Sequence, residues 1–153
     1  MKRAGIVVLI FLVVNSCSKK DTGCMPVPVG NEKAQLINYA NSSNISYTEH
    51  TSGLLYQILD PGTGASPTAS STVSVVYTGK HFDNTIFDAT ANPITFPLSG
   101  VIDGWKIGVP LIKKGGHIKL VIPSALAYSC SGNLPAIQPN EPLYFDITLT
   151  DVK

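Results

Sequence analysis

Charge is scarce in this chain. Asp, Glu, Lys and Arg make up 14 % of its 153 residues, against about 25 % in an average soluble domain. Eleven basic side chains oppose ten acidic ones for a formal charge of +1, and arginine occurs once, at Arg3. No basic cluster offers the electrostatic footprint that nucleic acid requires. The apolar run from Ala4 to Val14 has 11 residues, too few for a hydrocarbon core that takes about 20. His50, His81 and His117 show neither mutual spacing nor a nearby Cys at zinc-site intervals, so no metal is expected. No G-x-S-x-G, phosphate loop or other cofactor motif is present, which removes the usual hydrolytic and phosphoryl-transfer kits. Mean hydropathy is nevertheless +0.19. That value excludes a disordered polyelectrolyte and a coiled coil, and the length suits one domain.

Part of the hydropathy is concentrated at the start. Lys2 and Arg3 precede the run 4–14, which closes on Asn15, Ser16 and Cys17. This is the layout of a secretory signal peptide over residues 1–16. Val14-Asn15-Ser16-Cys17 further resembles a bacterial lipobox, which implies lipidation of Cys17 and a lipid anchor in the cell envelope, on a periplasmic or surface face. The plainer alternative is a secretory signal in which Cys17 is incidental. Cleavage before Cys17 leaves 137 residues, no arginine and a charge of −1. The chain then lacks any guanidinium for bidentate recognition of phosphate or carboxylate. Acylation of Cys17 leaves Cys24 and Cys130 as a candidate disulfide in an oxidising compartment; the alternative is two free thiols.

Residues 17–30 are polar, then marked by Pro and Gly, and read as a tether. Asn31 is a plausible N-cap, with Glu32 in the first turn and Leu36, Ile37 and Ala40 on one face of a short amphipathic helix. A helix that short is unstable alone, so it is expected to pack on the domain, within a segment 31–53, and the protein to be a monomer. From residue 54 onward strands and turns take over. Val73, Val75 and Tyr77 alternate with polar positions, as do Ile94, Phe96 and Leu98, then Ile118, Leu120 and Ile122. Leu143, Phe145, Ile147 and Leu149 alternate with Tyr144, Asp146 and Thr148. Such alternation predicts antiparallel strands with one buried face. A short helical turn near 101–108 carries the only Trp. The expected class is α+β: one antiparallel β-sheet curled around a short α-helix.

Five segments carry a resemblance: VSVVYTG at 73–79, IFDAT at 86–90, VIDGWKIGVPLIKKGG at 101–116, KLVIPSALAY at 119–128 and LYFDITLTDV at 143–152. Together they are similar to the FKBP-type peptidyl-prolyl cis-trans isomerase domain, over about residues 54–153. The resemblance implies the FKBP-like fold and an aromatic pocket. Trp105 would form its floor beneath a proline ring, and Tyr77, Phe87, Ile94, Val101, Ile102 and Phe145 its walls. The Tyr128 hydroxyl and the Ile102 N–H would bind substrate carbonyls. Asp88 would face the reacting amide, and Ile137 would sit in the loop over the site. Phe96, Leu120, Ile122 and Ile147 read as core. No cofactor is implied. Partners would be proline-containing unfolded or exported polypeptides, with macrolides as a further ligand class.

That chemistry suits these residues. A planar amide resists rotation by about 18–20 kcal/mol because of resonance, and X-Pro bonds exchange over tens to hundreds of seconds. Twisting the bond removes resonance and reduces the charge separation between oxygen and nitrogen. A dry aromatic pocket therefore favours the twisted state without nucleophile, metal or proton relay. Several positions depart from the family pattern: the segment after Asp88 is short, the Arg that often pairs with this Asp is missing, Gly100 replaces an acidic residue, and Asn133 and Ala136 alter the loop. Cys130 also follows Tyr128-Ser129, where glycine usually succeeds the Tyr. These changes bear on catalytic rate and macrolide affinity more than on fold. A non-catalytic chaperone or peptide-binding module using the same pocket is the competing reading.

Overall fold

A computed structural model describes residues 23–153. Six strands form one antiparallel sheet in the order β1-β2-β5-β6-β3-β4. They are β1 (Thr48–Glu49), β2 (Leu55–Asp60), β3 (Thr72–Lys80), β4 (Ile86–Pro97), β5 (His117–Ile122) and β6 (Leu143–Val152). Two helices, α1 (Val29–Ser42) and α2 (Asp103–Gly108), complete the α+β architecture. The expected signal peptide over residues 1–16 and the expected lipidation site at Cys17 lie outside the described residues. Among those described, no helix is long and apolar enough to cross a membrane.

Alternation sorts the side chains by face. Val73, Val75 and Tyr77 of β3, Ile118, Leu120 and Ile122 of β5, and Leu143, Phe145, Ile147 and Leu149 of β6 share one buried cluster with Trp105 and Val109. This inner face receives α2. The helix lies close because Gly104 and Gly108, four apart and on one side of it, leave no Cβ there: one would come within 2.5 Å of Ile122 and 2.6 Å of Leu120 respectively.

The outer face is expected to be polar, and part of it is not. Leu36, Tyr39 and Ala40 of α1 pack with Leu55, Val121 and Tyr144 into a second cluster. Helix α1 begins at Val29, three residues earlier than an N-cap at Asn31 predicts, and Pro28 occupies the N-cap without a side-chain bond. Asn31 instead donates its backbone N–H to the Pro28 carbonyl at 2.9 Å. Glu32 lies in the first turn, as expected, and is only 5 % exposed. Cys24 and Cys130 are joined in a disulfide, with Cα atoms 5.3 Å apart and 106 positions between them in sequence. Closing so long a loop contributes on the order of 3–5 kcal/mol in the chain-entropy description.

Candidate active site

The inner cluster opens into a cavity where the aromatic side chains converge. Trp105 projects from the first turn of α2 and is nearly buried. Tyr77 of β3 meets it at a centroid distance of 5.2 Å and 84°. Phe145 of β6 lies 5.3 Å away at 86°, and Phe96 of β4 6.0 Å away at 90°. Phe87 stands edge-on to Phe145 at 5.5 Å. Perpendicular contacts suit the ring quadrupoles and, unlike stacked rings, leave a hollow between the planes. That hollow measures about 250 Å³.

Gly79 allows two of these walls to meet. A Cβ at this β3 position would lie 2.6 Å from Phe87 Cζ and 2.8 Å from Phe145 Cε1. The loop before α2 supplies Gly100, Val101 and Ile102, and Tyr128 closes another side. Ile102 is the N-cap of α2, and its carbonyl accepts from the Trp105 and Lys106 N–H groups at 3.0 and 3.2 Å. The carbonyl is thus committed to holding the helix that carries Trp105.

Asp88 is the one charged residue in the lining. The Tyr77 hydroxyl donates to its Oδ2 at 2.5 Å. Burial, followed by the bond to Asp88 and the charge of Asp88, pushes the Tyr77 hydroxyl well above the usual tyrosine range. It therefore stays protonated and keeps donating. A single hydroxyl orients the carboxylate where the family pattern often has an Arg. No acid–base pair or nucleophile–base pair faces this cavity; it is a place to hold and desolvate an apolar group.

Eight of the expected site residues converge on the cavity: Tyr77, Phe87, Asp88, Val101, Ile102, Trp105, Tyr128 and Phe145. Two lie elsewhere. Ile94 is exposed, beside a bulge where two steps along β3 match four along β4. Phe96, read from sequence as core, takes the wall instead. Phe96 and Ile94 share one face, paired with Val73 and Val75, and a period-two pattern cannot say which of two residues on one face reaches the cavity. Ile137 is not draped over the cavity but 2 % exposed within the core. It is drawn inward by a short bridge in which Asn133 and Ile137 exchange backbone bonds of 2.9 and 3.0 Å. Gly100 is a further lining residue with no sequence signal beyond its departure from the family pattern.

A family model described as FKBP-type peptidyl-prolyl cis-trans isomerase matches residues 64–150. This chain belongs to that family. The FKBP-type isomerase FkpA of Escherichia coli K12 is 48 % identical over 106 residues, covering 67 % of this chain and 39 % of that relative. The outer membrane protein MIP of Legionella longbeachae is 43 % identical over 117 residues, covering 74 % of this chain and 50 % of its own length. The chain thus spans half or less of the length of these two relatives. A crystal structure of a peptidyl-prolyl cis-trans isomerase from Pseudomonas syringae superposes with a TM-score of 0.71 at 33 % identity, covering 84 % of this chain and 98 % of that one. The FKBP-type fold therefore accounts for the sheet, the Trp-bearing helix and the cavity between them.

Proposed function

We propose that this protein is a peptidyl-prolyl cis-trans isomerase that assists the folding of exported proteins. The observation that carries the reading is the 250 Å³ hollow bounded by perpendicular aromatic rings, with Asp88 its single charged residue. A proline ring seated on Trp105 would be stripped of water by Tyr77, Phe87, Phe96 and Phe145. Desolvation penalises the polar planar amide more than the twisted one, and every 1.36 kcal/mol of that difference is about tenfold in rate. The Tyr128 hydroxyl and the Ile102 N–H would fix the neighbouring carbonyls, and Asp88, oriented by Tyr77, would face the reacting carbonyl.

The basic start, the apolar run and the Ser16-Cys17 junction support export and lipid anchoring through Cys17. The name of the Legionella relative, an outer membrane protein, supports a place in the cell envelope. Single acyl chains anchor weakly and multiple ones stably. A tethered isomerase would meet chains as they emerge, when slow X-Pro exchange limits their folding. Macrolides are a second ligand class for the same hollow.

The test is relaxation of a proline peptide from its non-equilibrium cis fraction, followed with the purified chain. Acceleration is expected, and Tyr128→Phe and Asp88→Ala should each reduce kcat/KM by about five- to tenfold, the equivalent of one hydrogen bond. Binding of unfolded chains without any acceleration would replace this reading with that of a non-catalytic peptide-binding module.

A further inference from the structure

The two ends of the turn that carries Tyr128 are both held by the N-terminal segment. Four residues before Tyr128, the backbone N–H of Ser124 donates to Glu32 Oε2 of α1 at 2.8 Å. Two residues after it, Cys130 is bonded to Cys24. Between these points the chain belongs to no strand. Its own bonds are short-range turns, Leu126 N–H to Pro123 O at 2.9 Å, Ala127 N–H to Ser124 O at 3.0 Å and Gly132 N–H to Tyr128 O at 3.1 Å, with one longer tie, Asn140 N–H to Ser129 O at 2.8 Å. Ala127 adopts φ −109° and ψ −115°, outside the favoured basins. Local preference alone would not hold such a stretch in one conformation.

Glu32 is an expensive way to fasten a helix. A buried carboxylate costs free energy unless its oxygens are well bonded, and α1 already docks through Leu36, Tyr39 and Ala40. What Glu32 adds is a bond to one particular backbone N–H on the approach to Tyr128. From this geometry we infer that the N-terminal segment is a positioning element for the active site, with Glu32 and Cys24 as positioning residues that act through Tyr128. The inference rests on the isomerase reading of the cavity. It makes residues 24–32, which precede the family-matched region 64–150, a working part of the site.

The experiment is a double-mutant cycle in the full chain, with Glu32→Ala and Tyr128→Phe alone and combined. Glu32→Ala should lower kcat/KM by about three- to tenfold, as expected when a hydrogen-bonding hydroxyl is mispositioned. Glu32→Gln, which keeps an acceptor for the Ser124 N–H, should restore most of the activity. In the Tyr128→Phe background Glu32→Ala should have little further effect, because the hydroxyl it positions is gone. The paired change Cys24→Ser with Cys130→Ser releases the other grip without disturbing a buried charge, and should show the same dependence on Tyr128. Equal losses in both backgrounds, or folded variants with unchanged kcat/KM, would overturn the inference. The ring resonances of Tyr128 report the same grip without turnover: they should shift in Glu32→Ala and return in Glu32→Gln. A parent chain that fails to isomerise would defeat the isomerase reading alone. Unmoved Tyr128 resonances would defeat this one.

Discussion

Two aromatic clusters occupy opposite faces of the same sheet, and only the inner one frames a hollow between its own rings. The cavity of about 420 Å³ beside Phe82 has a polar lining that includes His81, Asp83 and Glu141. On the inner face Tyr77, Phe87, Phe96, Trp105 and Phe145 meet edge-on or tilted, at centroid distances between 5.2 and 6.2 Å. On the outer face Tyr39 stacks flat on Phe82, at 4.1 Å and 9°, and leans against Tyr144 at 5.7 Å. Each cluster contains a tyrosine bonded to an aspartate, Tyr77 to Asp88 at 2.5 Å and Tyr144 to Asp146 at 3.2 Å. Residue type therefore does not distinguish them. Parallel rings exclude the space between them, whereas perpendicular rings frame it. Coverage differs as well: the 14-residue α1 seals the outer cluster, while the six-residue α2 leaves the inner one open beside its N-terminus.

The largest expected effects come from removing one ring on each side. Trp105→Ala should cost about 3–5 kcal/mol of stability, as large aromatic deletions in cores do, and lower kcat/KM by about a hundredfold in the folded fraction. Phe82→Ala, in the stacked cluster, should cost about 1–3 kcal/mol because Phe82 is only partly buried, with kcat/KM held within about twofold. Urea midpoints and peptide relaxation measured on the same samples check both. Equal loss of activity in the two variants would erase the functional distinction between the faces.

A smaller and chemically matched pair sharpens it. Tyr77→Phe and Tyr144→Phe each remove one hydroxyl bonded to a carboxylate, and each should cost about 1 kcal/mol of stability. Tyr77→Phe alone should slow isomerisation, by about threefold to tenfold, since it frees Asp88 at the mouth of the cavity. A comparable slowing in Tyr144→Phe would mean that the outer pair also reaches the site.

The smallest difference is expected at alkaline pH, where the clusters should behave alike. Burial raises the hydroxyl pKa of Tyr39, Tyr77 and Tyr144, and the neighbouring carboxylates Asp88 and Asp146 add to the shift for the last two. A group that holds its proton more tightly when folded stabilises the fold fully below its unfolded pKa, here about 10. That contribution disappears as pH rises through and beyond this value. Absorbance at 295 nm should show that Tyr39, Tyr77 and Tyr144, three of the six tyrosines, ionise only above the ordinary tyrosine range or with unfolding. Ionisation of all six in one early step, before unfolding, would contradict the burial of both clusters.

Much of the inner face was legible from residues alone. Alternation along β3, β5 and β6 identified Tyr77, Leu120, Phe145 and Ile147 as inward-facing, and the Trp-bearing turn lies where expected. Period two reports which side of a strand a residue faces, and nothing more. It could not show that Phe96 rather than Ile94 would reach the cavity, since both pair in register with inward residues of β3, Phe96 with Val73 and Ile94 with Val75. Nor could it foresee that Asn133 and Ile137 would pair and draw Ile137 into the core. Tyr144 read as lying on the polar face with Asp146 and Thr148, because nothing in its own strand announces that α1 will cover it.

The sequence by itself determined the strand periodicity, the aromatic inventory and the scarcity of charge. These are local or compositional properties, carried by each residue before folding. Only the tertiary structure decided which rings stand perpendicular, which face α1 seals, and that Glu32 reaches the Ser124 N–H across 92 positions of chain. Those outcomes depend on packing between segments distant in sequence. Their geometry is set by bulges, close helix approach and the covering of one face by another element, none of which has a period to read.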